Sequence, residues 1–199
     1  MNDNTTLSRS LINSKARETR LGHRPILLWF TGYSGAGKAT LCALLEKELF
    51  ERGLHSYFLD AITVRQGMNK DVGFDESGRH ENMRRVGYLC RHLLDAGQIV
   101  LAGFISPFRH DRALIENIIR PYQFVEIYLS TSIEECERRD PKGLYRRARN
   151  GEIKNFTGLS APYEKPENPA IEIKTDALSP EDSLQELKTK LYKLYPELK

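Results

Sequence analysis

The stretch Gly32-Tyr33-Ser34-Gly35-Ala36-Gly37-Lys38 places Gly32 and Gly37 with four residues between them and follows the second with a lysine. Glycines let backbone N–H groups converge on phosphate oxygens, a following helix N-terminus favours negative charge, and Lys38 can reach the β- and γ-phosphates of a nucleotide. A chance match to this spacing arises in a chain of this length about 5% of the time. The usual motif then has a Ser or Thr whose hydroxyl ligates Mg²⁺; here that position is Ala39. Thr40 comes next but lies about 100° further round the helix, so it is no simple substitute. A metal held by phosphates and waters fits the chemistry, because Mg²⁺ keeps several waters in most sites.

Such a loop needs a strand before it and a helix after it. Pro25-Ile26-Leu27-Leu28-Trp29-Phe30 is a continuous apolar run, as in a central strand covered on both faces. Leu41, Leu44, Leu45 and Leu49 then recur at helical spacing, with Gly53 as the stop. Further strands are predicted at 56–60, 98–104, 124–129 and 171–174, and helices at 81–96 and 180–194. Strands alternating with helices imply a parallel sheet with right-handed crossovers. Residues 1–24 are polar and without periodicity and read as an N-terminal arm, with order beginning at Pro25 and one domain over 25–199. Residues 140–169, rich in Lys, Arg, Gly and Pro, form a long connection that reads as a basic lid.

Composition narrows the function class. The chain has 199 residues, 40% hydrophobic and 29% charged, enough for one α/β core and outside the disordered class. No window approaches the roughly 18–20 apolar residues of a membrane span, and the first twenty residues lack the apolar stretch of a secretory signal. A net charge of +3 is too small to announce a nucleic-acid binder. Cys42, Cys90 and Cys136 are too scattered for a disulfide framework or a metal pair, and read as reduced core thiols of a cytoplasmic protein.

Five further blocks carry a resemblance: Asp71-Val72-Gly73-Phe74; Arg79-His80-Glu81-Asn82-Met83-Arg84-Arg85-Val86-Gly87; Phe104-Ile105-Ser106-Pro107-Phe108-Arg109; Asp140-Pro141-Lys142-Gly143-Leu144-Tyr145; and Asn155-Phe156-Thr157-Gly158. With the loop, they make the chain resemble the adenylyl-sulfate kinase family from about residue 22 to the C-terminal helix. The resemblance implies a P-loop three-layer α/β sandwich and a homodimer. It also implies transfer of the ATP γ-phosphoryl to the 3′-hydroxyl of adenosine 5′-phosphosulfate. Residues 32–40 become the ATP loop; Arg65, Arg79 and Asn82 would hold the phosphosulfate, and Phe74 and Phe156 would sandwich its adenine. Ser106 matches a serine described as a phosphoryl carrier, and Lys142 belongs to the mobile lid. Chemistry agrees: a dianion suits guanidinium forks, and Arg65, Arg79, Arg84 and Arg85 are read as lying on or just after strand-end loops. Lys142, Arg146, Arg147, Arg149 and Lys154 are suited to neutralise a triphosphate. Taken singly, each of these residues also reads as surface charge or ordinary core, and Ser106 as a turn residue before the next helix.

After the second strand the family carries Asp-Gly-Asp-Asn, where this chain has Asp60-Ala61-Ile62-Thr63. Ile62 thus removes a carboxylate suited to accept or orient the proton of the attacking hydroxyl, assistance typically worth about 10²–10⁴-fold. Asp60 is the residue left to act as base or as a through-water metal ligand. The expectation is an ATP-dependent kinase with weakened Mg²⁺ binding. The alternatives are a pseudokinase that binds nucleotide without turnover, or a kinase for a related nucleotide.

Overall fold

The computed structural model describes residues 11–199. The segment 1–10 of the expected arm lies outside the described residues. Order begins before Pro25: α1 spans Ser14–Leu21, capped by the Asn13 side chain, which accepts from the Ala16 N–H, and closed by Gly22. Its residues are good helix formers with both ends capped, so it forms without burying any residue.

The chain then alternates. β1 (Ile26–Thr31) leads into α2 (Lys38–Glu51), β2 (Ser56–Asp60), α3 (Ala61–Gln66) and α4 (Glu76–Asp95). β3 (Ile99–Gly103), α5 (Arg109–Ile119), β4 (Gln123–Leu129), α6 (Ile133–Arg139) and α7 (Leu144–Arg149) follow, then β5 (Ile171–Ile173) and α8 (Pro180–Leu194). The five predicted strands are these five. The predicted helix at 81–96 starts five residues earlier, because the Asp75 carboxylate caps it at the Gly78 N–H.

Among the described residues the strands form one parallel sheet in the order β2-β3-β1-β4-β5. β1 is central and buried along its whole length. Its alternate side chains feed two cores: Ile26, Leu28 and Phe30 meet Leu41, Leu45, Leu187 and Leu191 on one face. Leu27 and Trp29 meet Val86, Cys90, Leu94, Ile115 and Ile119 on the other. Each fully buried aliphatic side chain stabilises the sandwich by about 1.5–3 kcal/mol. All strands run the same way, so their carboxyl ends share one edge, where open parallel sheets collect ligands. Thr31, Asp60, Gly103 and Leu129 end β1–β4 there.

Candidate active site

The turn between β1 and α2 is set by glycine. Gly32 has φ +147°, and a Cβ there would lie 2.7 Å from the Leu129 carbonyl oxygen. Gly37 caps α2 with φ 96°. The turn is pinned from behind: Tyr145 Oη donates to the Ser34 carbonyl (2.9 Å) and Thr175 Oγ1 to that of Ala36 (3.2 Å). Lys38 Nζ donates to the Gly32 and Tyr33 carbonyls (2.9 and 2.7 Å). Its ammonium end is turned into the fold, and desolvation pushes its pKa down to about 8.

Beside the turn opens a cavity of about 610 Å³. Ser34, Gly35, Gly37, Lys38, Ala39 and Thr40 form one wall, Asp60, Ile62, Arg65, Phe74, Arg79 and Asn82 the opposite one, and Ser106 and Lys142 also reach it. Gly32 and Tyr33 stand behind the wall and supply carbonyls to Lys38. A second cavity of about 370 Å³ flanks the turn, sharing Gly35, Gly37, Thr40 and Pro141 with the first and adding Ala36, Arg139, Asp176 and Leu178. Sequence reading missed this second cavity. The polar Thr175-Asp176 pair two residues past β5 was the available signal, since ligands gather at strand ends.

Lys38, Arg65, Arg79 and Lys142 all line the first cavity. Among the described residues none of the four forms a salt bridge, although Asp60 and Asp140 stand on the same walls. Arg65 donates to the carbonyls of Val72 and Gly73, and Arg79 to those of Phe74 and Asn155. Burial, followed by the charge of Arg79, lowers the pKa of Arg65; burial lowers that of Arg79. Arg84 and Arg85 behave otherwise. Like Arg79 they lie within α4, not on a strand-end loop, but unlike it they are neutralised by Glu81 and Asp71. In the lid segment Arg147 pairs with Glu152 and Arg149 with Glu137, so these two are surface ion pairs.

Asp60 caps α3, Oδ2 accepting from the N–H groups of Ile62 and Thr63 (3.0 and 2.9 Å). Ile62 is 46% exposed against the cavity, an apolar side chain beside cations. Ser106 is buried at φ 41°; its Oγ accepts from Trp29 Nε1 (3.1 Å) and donates to Thr31 Oγ1 (3.0 Å). Asn82 accepts from the Asn69 amide (3.0 Å). Phe74 is 60% exposed with the Arg65 guanidinium 4.4 Å above its ring. Phe156 is 9% exposed, packs edge-on against Tyr145 at 4.9 Å and does not line the cavity. The two aromatics are therefore not brought together in this conformation.

A parallel sheet in this order, whose central strand turns through glycines into a helix headed by lysine, defines a P-loop phosphotransferase. The sequence profile described as Adenylylsulphate kinase matches residues 24–174. The chain is 47% identical over 186 residues to the adenylyl-sulfate kinase of Thermodesulfovibrio yellowstonii, covering 94% of this chain and 93% of that one. It is 52% identical to that of Shewanella pealeana over 82% and 80% of the two chains. Among solved structures, the Mycobacterium tuberculosis APS kinase in complex with AMPPNP and APS superposes with a TM-score of 0.81 at 40% identity, over 84% of this chain and 98% of that one. The chain belongs to the adenylyl-sulfate kinase family.

Proposed function

We propose that this protein is an adenylyl-sulfate kinase, moving the γ-phosphoryl of ATP to the 3′-hydroxyl of adenosine 5′-phosphosulfate. The observation that carries the reading is the set of four cations, Lys38, Arg65, Arg79 and Lys142, around one cavity without salt-bridge partners. Charge left uncompensated in a partly dry site stabilises a polyanion arriving there far more than it would in water.

The two cavities divide the work across the glycine turn. The smaller takes the nucleoside of ATP, the turn and Lys38 its phosphates, and the larger takes the acceptor. Arg65, Arg79 and Asn82 hold the phosphosulfate. Phe74 and Phe156 close on the adenine once Arg65 leaves the Phe74 face and the lid segment shifts. In the transfer, the 3′-oxygen forms a bond to the γ-phosphorus as the bond to the β–γ bridging oxygen breaks. The hydroxyl proton passes to Asp60, which leaves ADP and the 3′-phosphorylated product. Direct in-line transfer needs no phosphoryl carrier, and Ser106, held by Trp29 and Thr31, acts in our reading by positioning the wall.

Mg²⁺ neutralises the β- and γ-phosphates when bound. Asp60 is the oxygen donor that this chain offers on the cavity wall, through water, and Ala39 offers none, fitting a water-rich and weakened Mg²⁺ site. We take 25–199 as the catalytic unit, a homodimer as its assembly and the cytoplasm as its compartment. Three buried unpaired cysteines support that compartment, and no helix among the described residues is long and apolar enough to cross a membrane. The deciding experiment is a coupled assay with ATP, Mg²⁺ and adenosine 5′-phosphosulfate. ADP release that depends on the phosphosulfate is expected, and none above background from folded protein overturns the reading.

A further inference from the structure

His80 near the start of α4 and His110-Asp111 in the first turn of α5 converge on one spot behind the acceptor wall. Their ligating atoms all lie within 4.8 Å of one another. His80 Nδ1 is 2.6 Å and His110 Nε2 3.2 Å from the same oxygen, Asp111 Oδ1. The Asp111 side chain is fully buried, and its Oδ2 has no hydrogen-bond partner. A buried carboxylate oxygen without a partner is costly and asks for one. The neighbouring cations do not supply it. Arg109 is bonded to Glu167 and the Lys165 carbonyl, and Arg112 to Glu126 and the carbonyls of Ser106 and Glu164.

We propose that His80, His110 and Asp111 bind a divalent transition-metal ion of the zinc class, bridging α4 and α5. Two imidazoles and one carboxylate suit Zn²⁺ and its neighbours and do not suit Mg²⁺. In a tetrahedral site with bonds of about 2.0–2.1 Å, ligand atoms stand roughly 3.3 Å apart. The spacing here reaches that with shifts of about an ångström or so. The imidazoles are 48% and 54% exposed, which gives the ion a route in from solvent and leaves water as its fourth ligand. Arg79 and Asn82 flank His80 on α4, and α5 begins directly after the wall that carries Ser106. An ion here ties α4, which carries Arg79 and Asn82 on the acceptor wall, to α5, apart from the phosphate loop.

The test is calorimetric titration of metal-free full-length protein with Zn²⁺, with Co²⁺ absorption as a second probe of ligand geometry. One ion per chain is expected, with a rise in melting temperature. His110→Ala and His80→Ala should each weaken binding by more than the roughly 10–100-fold lost with an outer-shell partner, and abolish the melting shift. His92→Ala, which removes an exposed histidine further along α4, should change neither. Because His80 and His110 are exposed, their variants should fold, and melting without metal checks that they do. If Zn²⁺ does not bind at submillimolar concentration, the cluster is only a hydrogen-bonded His80–Asp111 pair and the proposal fails. Equal affinity in His110→Ala also overturns it. Neither result bears on ADP formation, which tests the kinase reading separately.

Discussion

The phosphate loop and the aromatic clamp belong to one site but are built in opposite ways. The loop is held in shape by the fold itself. Tyr145 and Thr175 hold its carbonyls from behind, and Lys38 is fixed by two more. The clamp is unassembled: Phe74 stands largely in solvent under Arg65, and Phe156 is packed into the core against Tyr145. Fixed dipoles and charges work best when nothing has to reorganise during the reaction, whereas a stacking pair must open to admit its base. The difference teaches that the backbone of the phosphate loop is set by the fold, whereas the acceptor clamp is made on closure.

The sharpest way to break this contrast is Lys38→Met. With the loop preformed, kcat/KM should fall on the order of 10³-fold while the melting temperature holds, read by steady-state kinetics beside a thermal melt. A loss below tenfold would mean that the lysine does not anchor the phosphates. Next comes repair of the two departures. Ala39→Ser with Ile62→Asp should raise kcat about 10–100-fold and lower the Mg²⁺ needed for half-maximal rate. A jump from no measurable product would instead make the native chain a nucleotide binder without turnover.

A pH series sharpens the same side. The free-state pKa of Lys38 is lowered to about 8, and a bound triphosphate favours the ammonium form and raises it. Binding therefore takes up a proton above pH 8, and ATP affinity measured by calorimetry should fall by up to about tenfold per pH unit there. It should be flat below pH 7.5 or so, where the lysine is already charged. Lys38→Arg should remove the dependence. The clamp gives the smallest effects and separates its two halves. Phe74→Ala should raise KM for the phosphosulfate about tenfold with stability unchanged, from lost stacking of about 1–3 kcal/mol. Phe156→Ala should destabilise the fold by about 3 kcal/mol in denaturant titrations, because that ring is core in the open state.

Much of this architecture was legible in the residues alone. The strands announce themselves because a parallel sheet covered on both faces needs unbroken apolar runs, and Leu27–Phe30 and Val100–Ala102 are fully buried ones. α2 and α8 show through their leucine spacing. The short helices α3, α6 and α7 do not, because six or seven residues hold too few turns for a period. The Asp60 and Ser132 caps specify two of them. α1 was missed for a related reason, since its caps define it and it has no apolar face. In the site, the glycine turn and the resemblance pointed to Lys38, Arg65 and Arg79. Spacing could not say that Arg84 and Arg85 are neutralised by Glu81 and Asp71, because Asp71 lies a loop away. Nor does an aromatic residue in a lid declare which neighbour it packs on, so the edge-on contact of Phe156 with Tyr145 could not be read from the sequence.

Trp29 is the one tryptophan of the chain. It is stacked on Phe104, and its indole N–H ends on the Ser106 hydroxyl at the cavity wall. The protein thus carries a built-in optical reporter. Its ultraviolet emission should change in intensity or colour as an acceptor settles against that wall, so occupancy can be followed in real time without a dye or a label.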